Sequence, residues 1–238
     1  ALTVNLGGSL AGNTSNLASA LTVADTGTAT TDTLTINNTA INLTGNVNID
    51  LAASITSTGY ELVTFNTGEA TGNVSQTVAT FTVTPDAVTA PVSLTVTGGN
   101  AVDFSTSVST SSTALLTIDA SGMDAQTTGV TTFDIASTVQ GVGGTAHITG
   151  TGGEDIIVVG NFASTIIGGG GIDVLTGGTA ADTISGGDGN DTITGSGGND
   201  TINGEGGNDT ITASVAGNYT VTGGAGTDSV DFGGTNSS

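Results

Sequence analysis

The sequence predicts an all-β chain that ends in a parallel β-solenoid, with an irregular β-helical or β-sandwich region before it. Three observations predict this. Between Gly168 and Thr212 a motif recurs every nine residues, placing aspartates at Asp173, Asp182, Asp191, Asp200 and Asp209. So short a period means a stacked turn of backbone per repeat and not a row of separate domains. Threonine is the commonest residue of the remainder and, with valine and isoleucine, favours pleated strands, while helix signals are nearly absent.

From Ala1 to about residue 149 apolar residues alternate with threonine. Strands are expected at Leu2 to Leu6, Thr31 to Ile36, Val47 to Leu51, Glu61 to Phe65, Thr77 to Thr84, Val92 to Thr97, Ala114 to Ile118 and Thr131 to Ile135. Polar connections such as NNT, TGN and ASG separate them. Asn13 to Leu21 could form one short helical turn, and Pro85 to Pro91 reads as a loop. Thr26 to Ile36 has the spacing of a repeat that has lost its glycines, with Asp32, Leu34 and Ile36 in place. Two readings stay open for this half: an irregular solenoid, or an antiparallel sandwich of eight or nine strands.

The expected boundary separates a Thr-rich β region at 1–149 from a repeat region at 150–238. Phasing in nines reaches back to Ser164 and Asp155, and forward to Asn218; one extra residue then gives Asp228. Two places after each aspartate stands an aliphatic, Leu175, Ile184, Ile193, Ile202 and Ile211, expected to point inward from a short strand. Glycines before the aspartate let carbonyl oxygens converge on one point, where the carboxylate adds another oxygen. Such a set of oxygens suits calcium better than magnesium.

The blocks GGGGIDVLT, GGTAADTIS, GGDGNDTIT, GSGGNDTIN and GEGGNDTIT resemble the GGxGxDxUx calcium-binding nonapeptide of RTX proteins, most like those of bacterial surface-layer proteins. That resemblance implies a β-roll in which each nonapeptide makes half a turn and several Ca2+ ions sit between loops eighteen residues apart. It places Asp155, Asp173, Asp191, Asp209 and Asp228 on one edge, and Ser164, Asp182, Asp200 and Asn218 on the other. Further ligands would be loop carbonyls, among them those of Gly168, Gly170, Gly186, Asp188, Gly195, Gly197, Gly204 and Gly206. The side chains of Glu154, Asp188 and Glu205 are expected to be solvated.

Composition bounds the partners. The chain has no lysine or arginine against 21 acidic residues, a formal charge of −21. Nothing could neutralise nucleic-acid phosphates, and no apolar run has transmembrane length. No cysteine is available for disulfides or thiolate ligands. No signal peptide is visible at Ala1, and the chain reads as a fragment of a longer one. The one histidine, His147, lies in a strand-like stretch, and Asp103, Asp119, Asp124 and Asp134 form no local catalytic pattern, so no enzyme activity is expected.

The function expected is structural: an extracellular, calcium-dependent, self-assembling subunit of a surface layer or filament, exported by type I secretion, with a homo-oligomeric lattice or filament as its assembly and cell-surface polysaccharide as a candidate partner. Two alternatives are a surface-binding RTX adhesin fragment and the RTX module of a type I secreted enzyme. The aspartate columns are expected to repel each other without metal and to fold on binding it.

Overall fold

In a computed structural model, the residues described are 1–5, 21–25, 32–37, 47–51, 55–67, 74–85, 87, 89–99, 101–123, 131–140, 144–213 and 217–233. Among them are 21 strands and no helix. Every pairing is parallel, which no antiparallel sandwich allows, so the solenoid reading of the first half holds.

Two sheets run the length of the molecule. The first holds Leu2–Asn5, Thr33–Asn37, Leu62–Asn66, Val92–Gly98, Leu115–Met123, Thr145–Thr149, Ser164–Gly170, Thr183–Asp188, Thr201–Gly206 and Thr220–Ala225, in that order. The second holds Leu21–Ala24, Ile55–Thr58, Val74–Thr84, Ala101–Thr110, Thr131–Gln140, Glu154–Val159, Val174–Gly178, Thr192–Ser196, Thr210–Thr212 and Ser229–Asp231. Val47–Leu51 pairs with Val74–Thr84 off this path. The chain thus winds from sheet to sheet, and both sheets pass through residue 150 without a break in pairing.

Strict alternation decides which side chains enter the space between the sheets. Leu94 and Val96 point in while Ser93 and Thr95 are half-exposed, and Ile157 points in between half-buried Ile156 and Val158. In the first half this space is filled by aromatics. Phe65, Phe81, Phe104 and Phe133 are wholly buried, and Phe104 packs against the other three rings with centroids 5.8–6.4 Å apart. Beyond Val159 the filling thins to one inward aliphatic per strand: Ile166, Ile184 and Ile202 from the first sheet, and Leu175, Ile193 and Ile211 from the second.

Rung length changes along the axis. Aligned residues at the corner leading into the first sheet, Asp32 and Glu61, are 29 residues apart, whereas the aspartates of the repeats are 18 apart. Each nonapeptide therefore makes half a rung. Most expected strands lie where the sequence put them, but Leu21–Ala24, Ile55–Thr58 and Ala101–Thr110 were not anticipated. The expected helical turn falls outside the described residues except for Leu21, which begins a strand, and 26–31 of the worn repeat also fall outside.

Candidate metal centre: two columns of buried aspartates

Each repeat aspartate stands at a corner, just before or at the start of an inward-alternating strand, so its side chain is turned into the loop and not into solvent. Asp155, Asp173, Asp182, Asp191, Asp200 and Asp209 are all at most 2 % exposed. Hydrogen bonds tie them into two columns. The Asp155 N–H donates to Asp173 Oδ1 at 2.9 Å, Asp173 to Asp191 at 2.9 Å, Asp191 to Asp209 at 2.9 Å, and Asp209 to Asp228 at 3.0 Å. On the other edge Ser164 donates to Asp182 Oδ1 at 2.8 Å and Asp182 to Asp200 at 2.9 Å.

The second carboxylate oxygen is left over. Eight buried side-chain oxygens have no hydrogen-bond partner among the described residues, and five of them are Oδ2 of Asp173, Asp182, Asp191, Asp200 and Asp209. The others are Asp32 Oδ2 and the hydroxyls of Ser57 and Ser111. A buried polar atom without a partner is costly, and five copies in register call for a ligand.

The loops supply what such a ligand requires. A Cβ on Gly186 would lie 2.3 Å from Asp191 Oδ2 and 2.7 Å from the Gly204 carbonyl oxygen. Equivalent Cβ atoms would meet Asp173 Oδ2 and Gly186 O at Gly168, Asp182 Oδ2 and Gly195 O at Gly177, and Asp209 Oδ2 and Gly223 O at Gly204. Glycine is obligatory there because carboxylate and carbonyl oxygens converge where a side chain would begin. With no lysine or arginine in the protein, a hard cation is the group that matches these oxygens. No three His, Asp or Glu side chains gather at one point among the described residues, as befits sites made of one carboxylate plus backbone carbonyls.

Electrostatics agree. Burial raises the Asp173 carboxyl to about 8, with the charges of Asp155, Asp191 and Glu154 adding to the rise. Burial raises Asp155 to about 7 and pushes Asp182, Asp191 and Asp200 upward as well. These corners disfavour a bare carboxylate, and a bound cation reverses that penalty.

The expected ligands divide into groups. The carbonyls of Gly168, Gly186, Gly195 and Gly204 face the carboxylates of Asp155, Asp173, Asp182 and Asp191 in turn. Those of Asp188 and Gly206 each accept a loop N–H from the rung before, Gly171 at 2.8 Å and Gly189 at 2.6 Å, leaving one lone pair apiece. Gly170 and Gly197 donate their N–H groups to Thr151 O and Gly178 O. Asp155 differs from its column mates: Thr151 donates its N–H to Oδ2 at 2.6 Å, and the Phe133 N–H reaches Oδ1 at 3.0 Å. Asp228, half-buried, closes the column. The side chains of Asp188 and Glu205 are exposed and that of Glu154 is half-buried.

Asn218 does not stand at the aspartate position. Thr201 pairs with Thr220, so the neighbour of Asp200 is Tyr219; an extra residue between Ala213 and Gly217 shifts the frame. The Tyr219 ring covers Gly195, and its hydroxyl donates to Ser196 O at 3.0 Å. Asn218 instead belongs to the loop asparagines, with Asn190, Asn199 and Asn208, which form ladders of their own. Its N–H donates to Asn199 Oδ1 at 2.9 Å, as Asn208 does to Asn190 and Thr227 to Asn208, both at 2.7 Å.

Elsewhere, His147 is half-exposed on the outer face of the first sheet, between Thr117 and Thr165. Asp103 and Asp134 are rung neighbours on the second sheet, and Asp119 accepts from Ser121. Asp124 falls outside the described residues.

Comparison with known proteins agrees with this geometry at one place. Residues 149–184 and 176–211 match the family model of the RTX calcium-binding nonapeptide repeat (4 copies). No curated protein and no solved structure matches the chain. Two columns of buried aspartates, each with an oxygen waiting beside a glycine, and the family match over the same residues make 149–211 an array of RTX calcium-binding nonapeptide repeats.

Proposed function

We propose that the chain is a structural, non-enzymatic part of an exported protein, in which calcium completes a long two-sheet rod that assembles with its own kind into a surface layer or filament. The observation that carries the calcium dependence is the set of five unpartnered aspartate Oδ2 atoms, three in one column and two in the other. Continuous pairing of both sheets supports the rod, and it gives the charge columns a rigid spacing. A formal charge of −21 with no lysine or arginine makes divalent cations the natural bridge between copies and keeps nucleic acid away. Dependence on abundant calcium fits a protein that works outside the cell, after export by the type I route. Electron microscopy and sedimentation of the protein in millimolar calcium, with and without chelator, test this. Ordered lattices or filaments that dissolve on chelation are expected; a monomer at high concentration in calcium would overturn the assembly.

A second reading, a surface-binding adhesin segment, is favoured by the outer faces. Register brings Thr3, Thr35, Thr64 and Thr95 into one file across four rungs of the first sheet, and Thr22, Thr56 and Thr82 into another on the second. Flat files of hydroxyls suit an ordered partner such as a cell-surface polysaccharide. Retention on insoluble polysaccharide by the calcium-loaded monomer separates the two readings.

A further inference from the structure

We infer that calcium-driven folding of the roll starts at its N-terminal end, where a metal-free clamp built by Thr151, Phe133 and Ser164 sets the first corner of each column. The inference rests on the calcium reading above and adds a direction and named residues to it.

The first loop of the roll is built differently from its copies. Thr151 occupies the place held on the same edge by Gly169, Gly187, Glu205 and Gly224, all of which have positive φ, from 74° to 121°, whereas Thr151 does not. The altered backbone aims the Thr151 N–H at Asp155 Oδ2, 2.6 Å away. Its hydroxyl lies 2.9 and 3.0 Å from the two carboxylate oxygens and accepts the Gly153 N–H at 3.0 Å. Phe133, whose ring belongs to the aromatic stack, donates its N–H to Asp155 Oδ1 at 3.0 Å. Asp155 therefore has protein donors on both oxygens, and Asp155 Oδ2 is absent from the unpartnered set. On the other edge Ser164 gives Asp182 Oδ1 two donors, N–H at 2.8 Å and hydroxyl at 2.7 Å, where Asp182 gives Asp200 only its N–H.

Polarity follows from the column bonds. Each ordered rung presents its aspartate N–H to Oδ1 of the next aspartate, eighteen residues on, and so positions that carboxylate before an ion arrives. The clamp supplies the first such rung without metal, on a core whose buried phenylalanines need no cation. At the far end Asp228 is half-buried and accepts the Asp209 N–H. Rungs should then be added from Asp155 towards Asp209, in the order in which donors become available.

Hydrogen exchange of the full chain during a stepwise calcium titration reads the order directly. Protection is expected first in Glu154–Val159 and Ser164–Gly170, and last in Thr210–Thr212. Thr151→Val removes the hydroxyl but keeps the shape. If the clamp loses tenfold in its equilibrium and about four ions share the linkage, the calcium midpoint rises by roughly 1.8-fold. Thr151→Ser restores the midpoint, and Ser164→Ala raises it through the other column. Protection that appears first at Thr210–Thr212 or everywhere at one midpoint, or a midpoint untouched by both Thr151→Val and Ser164→Ala, overturns the inference while leaving calcium binding intact. A chain that gains no protection from calcium removes the calcium reading and this one together.

Discussion

Replacing Asp173 with asparagine should change stability in opposite directions with and without calcium. The amide oxygen can still accept the Asp155 N–H, which Asp173 Oδ1 now takes at 2.9 Å. The amide nitrogen falls where Oδ2 has no partner, and there it can donate to the Gly186 carbonyl that faces the same point. In chelator, then, Asp173→Asn removes a buried carboxylate and satisfies two polar atoms. The folded carboxyl is raised from 3.8 to about 8, chiefly by burial. A raised folded value means that its contribution is fully present below pH 3.8 and is lost as pH rises to about 8. At pH 7 the loss amounts to about 4 kcal/mol as an upper bound, since water entering a metal-free loop reduces it. The variant should therefore match the natural protein near pH 4 and gain on it by about 1.4 kcal/mol per pH unit at most, up to about pH 8. In millimolar calcium the sign reverses, because an amide nitrogen cannot ligate a hard cation; each tenfold loss of affinity costs about 1.4 kcal/mol when calcium is in excess. Denaturant melts followed by exchange of the Leu175 amide at pH 4 and 7, with calcium and with chelator, give all four corners of the comparison. A variant destabilised to the same degree in chelator and in calcium at pH 7 would refute the argument and make Asp173 an ordinary loop-capping residue.

Three other substitutions probe the halves separately. Phe104→Ala opens the centre of the aromatic stack and should cost about 3–5 kcal/mol in a denaturant melt of the first half, by the same amount with and without calcium. Ser196 and Glu205 hold φ of 72° and 74° at places where other repeats carry glycine. Relief of about 1–2 kcal/mol of left-handed strain, less the entropy of a freer unfolded chain, should leave Ser196→Gly more stable by about 0.5–1 kcal/mol in calcium-loaded thermal melts. Glu205→Gly should gain less, because it also gives up the Ser185 hydroxyl that donates to Glu205 Oε1.

The roll was legible because its period is shorter than any loop that could blur it: nine residues fix corner, strand and inward aliphatic together. The first half was less so. Alternation marked Thr31 to Ile36 and Glu61 to Phe65 as strands, but not which rung each would meet, since the rungs vary in length and pairing is a property of the closed turn. Ile55–Thr58 escaped notice because its second inward residue is Ser57, so the apolar alternation stops after one member. The misplacement of Asn218 had a readable remedy. Gly-Asn-Tyr-Thr-Val aligns with Gly-Asn-Asp-Thr-Ile at Gly198 to Ile202, and the asparagine, which carries its own ladder, marks the frame better than a count of nine. The clamp was visible only as Thr151 in a glycine place; its partner Phe133 comes from the preceding rung, at no fixed spacing.

The corner leading into the first sheet shows why the glycine-flanked aspartates are confined to one part of the solenoid. Register carries this one position through Asp32, Glu61, Val92, Leu116, Ala146, Ser164, Asp182, Asp200 and Tyr219. The same backbone-to-carboxylate bond recurs at its start, with the Asp32 N–H 3.1 Å from Glu61 Oε2. Where the sheets hold a thick core, beside the phenylalanines, the corner can be apolar: Val92 and Leu116 are buried and close it with hydrocarbon alone. Where each strand contributes one inward aliphatic, too little apolar surface is available to order each rung, and the corner becomes an acid preceded by glycines. Those two features are not independent. A Cβ at Gly204 would sit 2.1 Å from Asp209 Oδ2, so an aspartate aimed inward requires a neighbour without a side chain, and the glycine that makes room also loosens the unfolded chain. Such a rung has neither the packing nor the stiffness to stand by itself, and its ordering is left to the ion. Within one unbroken pair of sheets, we therefore expect stability to be independent of calcium along the aromatic stretch and to depend on calcium beyond Asp155.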